Sequence, residues 1–267
     1  MNKKRFYEDH RNFSWRTLTE YLISPGIRCK FDLLKEHLGS RTFYNGIDLG
    51  CSGNSFIYFL ENIIHKSFYD IALTPLKQYS GIPLKKLNEV HPNEYWNPIC
   101  GDITCLPYRD KMFDFVSALD VLEHIKEDHK AVSEISRILK KNGIVVVTVP
   151  HRMKFYTKQD HLIGHYRRYE IDRMISLFKK FSLKNLKIFG VYGRIMKISD
   201  IQSTNPKGTE KSLQNLRNFY TTHLLFRKIW NIFVKVGSHI MKVDARSKNL
   251  NTKMNLAFIF IKQIKLK

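Results

Sequence analysis

Six consecutive residues, Ile144–Val149 (IVVVTV), are almost purely β-branched and leave no polar face. Such a run suits a strand buried on both sides, as in parallel sheets covered by helices above and below. Parallel neighbours cannot be joined by a tight turn, so the chain must cross over the sheet between them. The sequence just before the run supplies that crossover. Phe113–Leu119 (FDFVSAL) reads as a strand ending in Asp120, and Val121–Lys141 then places Leu122, Ile125, Val132, Ile135, Ile138 and Leu139 on one helical face. Asn142-Gly143 reads as the cap that ends this helix.

The same alternation recurs along the chain. In Tyr44–Leu60 (YNGIDLGCSGNSFIYFL), Gly46 and Ile47 lead a first strand to Asp48, and Gly50 and Gly53 make a turn. Phe56, Ile57, Phe59, Leu60 and Ile63 then predict a helix. Ser67–Leu73, Tyr95–Cys100, Leu183–Val191 and Asn255–Ile264 read as strands two, three, six and seven. A weak helix broken by Gly81 and Pro83 follows the second strand, and a helix over Ile171–Phe181 precedes the sixth. Ahead of the sheet, residues 1–14 are polar, and Trp15–Leu38 predicts two short helices broken at Ser24-Pro25-Gly26. Tyr192–Met254 is far too long for a strand connection and has its own helical pattern, so it reads as an insertion. The expectation is an α/β fold: a doubly wound, seven-stranded, mostly parallel sheet with a helical segment inserted between strands six and seven. The chain then divides into an N-terminal helical segment (1–40), a core (41–191 with 255–267) and an inserted basic cap (192–254).

Lysine and arginine number 45 against 24 acidic residues, a formal net charge of +21. That balance fits an acidic partner such as anionic lipid, nucleic acid or an anionic substrate, and equally a solvated basic surface. Cys29, Cys51, Cys100 and Cys105 have neither zinc-site spacing nor the density of a secreted disulfide scaffold, so they read as reduced residues of a cytoplasmic protein. The start, MNKKRFYEDHRNF, lacks the apolar stretch of a signal peptide, and no uncharged run approaches the ~20 residues of a spanning helix. Residues 212–243 are apolar and basic together, with Trp230, Phe233 and Val234 on one face and Arg227, Lys228 and Lys235 nearby. This segment reads either as a lid on its own domain or as a helix associating weakly with an anionic membrane surface.

Four stretches in register resemble the class I S-adenosylmethionine-dependent methyltransferases, in particular the group containing the quinone-biosynthesis methyltransferases. They are Asp48-Leu49-Gly50-Cys51; Gly101-Asp102-Ile103 with Leu106-Pro107-Tyr108; Phe113–Val116 with Asp120-Val121-Leu122-Glu123-His124-Ile125; and Arg137–Ile144. The resemblance covers about Phe43 to Val191. It implies S-adenosylmethionine as cofactor, lined by Asp48, Gly50, Gly53, Asp102, Ile103 and Asp120, with Asp102 at the adenine amino group. Two departures stand out. After the cysteine the chain reads Ser52-Gly53-Asn54 where the family has more glycine, and Asn54 is the residue that could turn left-handed there. At the end of strand two, where the family carries an acidic residue for the ribose, the chain has Ala72; Asp70 lies two residues earlier, about 6–7 Å deeper along a strand.

Methyl transfer from a sulfonium needs alignment and removal of a proton, and no metal is required. His124, one turn past strand four, is the leading candidate for a base, and His165, Arg167 and Tyr169 of the loop after strand five are expected to face the acceptor with it; Glu123 reads as exposed. His161 and His165 have a metal-like i,i+4 spacing that Gly164 undermines. The acceptor is expected to be a small, sugar-like or lipid-linked molecule methylated on oxygen. A nucleic-acid substrate fits less well, because ALDVLEHI lacks the Asn/Asp-Pro-Pro-aromatic turn used on extruded bases and Cys105 follows Thr104 rather than proline. RNA methylation, and a non-catalytic protein of the same fold that binds anionic partners, remain the alternatives.

Overall fold

The computed structural model describes residues 17–80, 95–195 and 206–263. Seven strands form one sheet: β1 (Phe43–Leu49), β2 (Ile63–Asp70), β3 (Tyr95–Cys100), β4 (Phe113–Leu119), β5 (Leu139–Pro150), β6 (Leu183–Tyr192) and β7 (Asn255–Lys262). Their order is β3-β2-β1-β4-β5-β7-β6. All neighbours are parallel except β7, which runs antiparallel between β5 and β6. The expected doubly wound sheet is therefore present, and its strand order turns back between β1 and β4.

The β-branched run behaves as its composition requires. Val145, Val147 and Val149 pack on one face with Val132 and Ile135 of α4 (Asp128–Ile138) and Phe178 of α6 (Ile171–Lys179). Ile144 and Val146 face the other side, with Phe31, Leu33 and Leu34 of α2 (Pro25–Leu38). Removing such side chains from water contributes roughly 1.5–3 kcal/mol each. Helix α2 starts where Ser24 Oγ accepts from the Ile27 N–H, with Pro25 in the first turn, and stops at Gly39, whose φ of 65° suits glycine. The insertion folds as α7 (Pro206–Thr222) and α8 (Leu224–Ala245). Helix α8 packs along α2, its Trp230 Nε1 donates to the Ile23 carbonyl in α1 (Glu20–Ile23), and Arg246 pairs with Glu36.

Several expected boundaries move. The helix expected after the glycine turn shrinks to a single 3-10 turn, Ile57–Phe59, and Ile63 already begins β2. Strand two ends at Asp70 rather than Leu73, because Leu73 begins α3 (Leu73–Ser80); the part of that helical stretch around Gly81 and Pro83 lies outside the described residues. The single helix expected over Val121–Lys141 is a 3-10 turn, Leu122–His124, followed by α4. Asn142-Gly143 does not cap α4. Asn142, with φ 60°, bends the first part of β5 instead. Residues 1–14 lie outside the described residues.

Candidate functional site

Where the strand order reverses, a crevice forms beyond the carboxyl ends of the strands. Here it is a cavity of about 680 Å³ bounded by Gly50, Asp70, Asp102, Asp120, His124 and His165, among others. The β1 loop is bent by Gly50 (φ 69°) and Ser52 (φ 48°), not by Gly53 or Asn54. A Cβ on Gly50 would overlap the Val121 side chain, so glycine serves both the backbone angle and the close approach to β4. The Gly50 and Cys51 N–H groups donate to the Tyr69 carbonyl at 2.7 and 3.2 Å, and Ser52 N–H donates to Asp70 Oδ2 at 2.8 Å. Gly53 is buried behind the loop and does not line the cavity, which corrects its assignment.

Asp48 borders the cavity, but its carboxylate is engaged by Ser55 Oγ and Ser117 Oγ at 2.5 Å each and by Phe56 N–H at 3.0 Å. Burial raises its pKa to about 6 despite those donors. It fixes the path of the loop. Asp70 is the last residue of β2 and lines the cavity, while its Oδ1 accepts from Ala72 N–H at 2.8 Å. Because the strand stops three residues before Leu73, Asp70 stands at the strand end, and Ala72 is fully buried beyond it.

After β3, Asp102 Oδ1 accepts from Thr104 N–H and Oγ at 2.8 Å, forming a tight Asx turn, and the Asp102 carbonyl accepts from the Tyr69 hydroxyl at 3.1 Å. Ile103 also lines the cavity. Helix α4 holds this loop from outside. Arg137 donates to the Leu106 and Tyr108 carbonyls, and Glu134 accepts from Leu106 N–H at 2.7 Å. Asp120, with φ 56°, sits at the hinge after β4. Lys30 Nζ lies 2.7 Å from its Oδ2, while Thr148 Oγ and Asn255 Nδ2 donate to Oδ1 at 2.9 and 2.7 Å. Burial works against the charge, but Lys30 outweighs it and the carboxyl is held at about 2.

On the far side, Asp160 in α5 (Lys158–Leu162) receives Arg168 through Nε and Nη2 at 2.8–3.0 Å, Thr157 N–H at 2.7 Å and His165 Nδ1 at 2.6 Å. Burial opposes its ionisation, yet His165 and Arg168 hold its pKa well below the usual range. An ionised Asp160 makes His165 Nδ1 the donor, and in the neutral ring Nε2 is then the atom that carries the lone pair. The His124 and His165 rings meet edge to face at 4.5 Å. Glu123 is 1% exposed, not solvated as expected, and burial pushes its carboxyl pKa well above the ordinary value.

Two acceptor assignments do not hold. Tyr169 is buried, and its hydroxyl lies 3.1 Å from the Leu122 carbonyl and 3.0 Å from Asp128 Oδ2, away from the cavity. Arg167 pairs with Asp128 at 2.6 Å and donates to the Lys126 carbonyl. Both brace the loop because they lie next to Arg168, which takes the inward direction. His161 is exposed and outside the cavity, so the His161/His165 metal pair is absent. Lys30, Asp160, Arg168 and Asn255 were missed. Lys30 carried a signal, a cation within the apolar stripe of Ile27, Phe31 and Leu34, and Thr157-x-x-Asp160 has the form of a helix-start box. Asn255 carried none.

Residues 47–147 match the family described as methyltransferase domain. The fold is that of a class I methyltransferase. A solved structure of a phosphoethanolamine N-methyltransferase from Haemonchus contortus, in complex with S-adenosyl-L-methionine, superposes with a TM-score of 0.56 at 16% identity, covering 97% of this chain and 60% of that one. An uncharacterized protein of Methanocaldococcus jannaschii is 33% identical over 159 residues, 59% of each chain. An S-adenosylmethionine-dependent methyltransferase of Mycobacterium tuberculosis, named as probable, is 28% identical over 89 residues, 33% of this chain. The chain thus spans 59% of the archaeal relative's length and 32% of the mycobacterial one's.

Proposed function

We propose that this chain is an S-adenosylmethionine-dependent methyltransferase acting on an oxygen nucleophile of a small, sugar-like or lipid-linked acceptor. The observation that carries the reading is the pair of carboxylates at the ends of neighbouring strands, Asp70 and Asp102, on one cavity that the Gly50 loop also lines. Carboxylates at that spacing suit a ligand with ribose hydroxyls at one station and an exocyclic amine at the other. Bound there, S-adenosylmethionine supplies a methyl group already activated on sulfonium sulfur. Asp70 takes the ribose hydroxyls, Asp102 the adenine amine and Ile103 the ring face. Asp48 and Gly50 set the loop, and Asp120, held by Lys30, forms the wall beside the transferred methyl. With that donor bound, an acceptor oxygen would take the methyl as the carbon–sulfur bond breaks with its electron pair going to sulfur, and the acceptor hydroxyl would give up its proton. His124, His165 and Glu123 are the groups placed to receive that proton or to acidify the hydroxyl.

Calorimetric titration with S-adenosylmethionine is the first test; absence of binding by folded protein returns the chain to a non-catalytic binding role. Incubating extracts with isotopically labelled donor and following label into metabolites, lipids and RNA identifies the acceptor. Label confined to RNA would overturn the small-molecule reading.

A lipid-linked acceptor is favoured by α8. Trp230 and Val234 turn inward, whereas Leu225, Ile229, Ile232, Val236, Ile240 and Val243 are each more than half exposed and recur at three- or four-residue spacing. Lys228, Lys235 and Arg246 are exposed on the same helix region, which gives the stripe a cationic border suited to an anionic membrane surface. No helix among the described residues is long and apolar enough to cross a membrane, so the association would be peripheral. Cosedimentation with anionic vesicles across a salt series tests this. Binding that weakens with salt and is lost in Ile232→Asp is expected; no binding to anionic vesicles by the unaltered protein sinks it.

A further inference from the structure

Glu123, His124 and His165 form a cluster with no counterpart elsewhere on the cavity wall. Every other carboxylate there receives hydrogen bonds: Asp48 from Ser55, Ser117 and Phe56; Asp102 from Thr104; Asp120 from Lys30, Thr148 and Asn255; Asp160 from Arg168, His165 and Thr157. Glu123 has neither oxygen hydrogen-bonded, although both are sealed from solvent. Its nearest basic atom is His165 Nε2 at 3.8 Å, beyond hydrogen-bond reach. A buried ionised carboxylate without a donor costs free energy unless it takes up a proton or a bound cation satisfies it.

The neighbours indicate what that is. His165 donates Nδ1–H to Asp160, and the Asp160 carboxylate is fixed by Arg168 and Thr157. A carboxylate on the far nitrogen of an imidazole is the arrangement that orients histidine ligands and raises their basicity. It leaves Nε2 directed to the side where Glu123 stands. One ligand atom from each of Glu123, His124 and His165 falls within 4.8 Å of the others, and all three residues line the cavity. Bonds of about 2.1 Å place two donors at most about 4.2 Å apart, so the group need contract by only about half an ångström.

We propose that Glu123, His124 and His165 bind one divalent first-row metal ion, with two imidazole nitrogens and a carboxylate as protein ligands and open positions toward the cavity. Such a mixed set suits manganese, iron, cobalt or zinc better than magnesium or calcium, which favour all-oxygen sites. Sequence spacing, which predicts no metal, does not show the cluster, because His165 lies 41 positions beyond His124 and the i,i+4 spacing pairs it with His161 instead. The metal's catalytic role rests on the methyl-transfer reading: an acceptor hydroxyl bound at an open position loses its proton more readily, so neither histidine has to act as a free base. Metal binding itself requires neither donor nor acceptor.

The test uses full-length protein stripped with chelator, loaded with Co2+ or Mn2+, dialysed and assayed for metal content, with the Co2+ visible spectrum and Mn2+ paramagnetic resonance as readouts of ligation. One equivalent is expected per chain. Glu123→Gln and His124→Ala should each lose it, and Asp160→Asn should weaken it about ten- to a hundredfold by freeing the ring of His165. His161→Ala, altered at an exposed histidine, should bind as the parent does. Circular dichroism identifies any variant that has unfolded, and His124→Ala, at a half-buried position, serves if Glu123→Gln does. Under one-tenth of an equivalent in the parent with both metals, or full binding in folded Glu123→Gln and His124→Ala, overturns the site. Methyl-donor calorimetry on the same stripped protein reports separately: donor binding without metal binding removes only the metal proposal, and metal binding without donor binding removes only the methyltransferase reading.

Discussion

On the β1–β3 side of the cavity, Asp48, Asp70 and Asp102 each accept from backbone N–H groups of the loops that leave the strands, Phe56, Ser52 with Ala72, and Thr104 respectively, and Asp48 adds a side-chain donor from another strand, the Ser117 hydroxyl. On the β4–β5 side the acidic residues depend mainly on side chains, remote in the chain for Asp120 and nearby for Asp160. Asp120 relies on Lys30, 90 positions away, and on Asn255, 135 away, and Asp160 relies on Arg168 and His165. Neither Glu123 oxygen has a hydrogen-bond donor among the described residues. Backbone donors survive most side-chain substitutions, so Asp70 and Asp102 on the first side tolerate side-chain change and are fragile where the backbone path itself is touched. The second side has the opposite weakness.

The largest effect should therefore come from the backbone. Gly50→Ala places a Cβ against Val121 at a φ of 69°. Left-handed strain of roughly 1–2 kcal/mol adds to an overpacking cost of about 1–3 kcal/mol. Urea denaturation should show that loss, and Val121→Ala in the same chain should recover the packing part. Failure to recover any of it would mean that the loop is not held by the contact with Val121.

Across the cavity, Lys30→Met should cost about 1–3 kcal/mol at neutral pH, less than a fully buried pair because Asp120 still touches the cavity. The pH dependence then contrasts the two sides. Asp120 titrates near 2 when folded, so its stabilisation is present above about pH 4 and is lost as the pH falls toward 2. Asp48 titrates near 6, so its contribution has the opposite sign: present below about pH 4 and lost as the pH rises toward 6. Lys30→Met should flatten the acid limb of the stability profile and extend the Asp48 limb upward, because Lys30 also holds the Asp48 carboxyl down, whereas Asp48→Asn should remove the pH 4–6 limb and keep the acid one. Both limbs surviving both substitutions would break the comparison.

A comparable but more local effect is expected at Asp102→Ala, which should weaken S-adenosylmethionine binding by about 1–3 kcal/mol with the fold intact. Asp70→Ala should also weaken it, while Ala72→Asp should not tighten it, because Ala72 is fully buried beyond the strand end. Tighter binding by Ala72→Asp would restore the sequence-based placement of the ribose contact. The smallest effect is expected at Tyr169→Phe. Its hydroxyl serves Leu122 and Asp128, so stability should fall by about 0.5–1.5 kcal/mol with donor affinity unchanged.

Sequence alone determined the sheet and its crossovers, because a β-branched run such as Ile144–Val149 admits few partners and periodicity is a local property. With the family resemblance it also pointed to Gly50, Asp102, Asp120 and His124, which line the cavity just past the ends of β1, β3 and β4. Where it erred, a competing local structure won. Strand two ends early when α3 begins, so the strand end falls at Asp70 rather than Leu73. In HYRRY the inward side chain is Arg168, because Asp160 captures it, and Arg167 and Tyr169 turn to Asp128. Tertiary structure alone decided that Lys30 neutralises Asp120, which face of α8 remains uncovered, and that Glu123 faces two histidines without a hydrogen bond. Charge pairing and desolvation act through space, and residues 90 positions apart share no pattern until the sheet brings them within 2.7 Å.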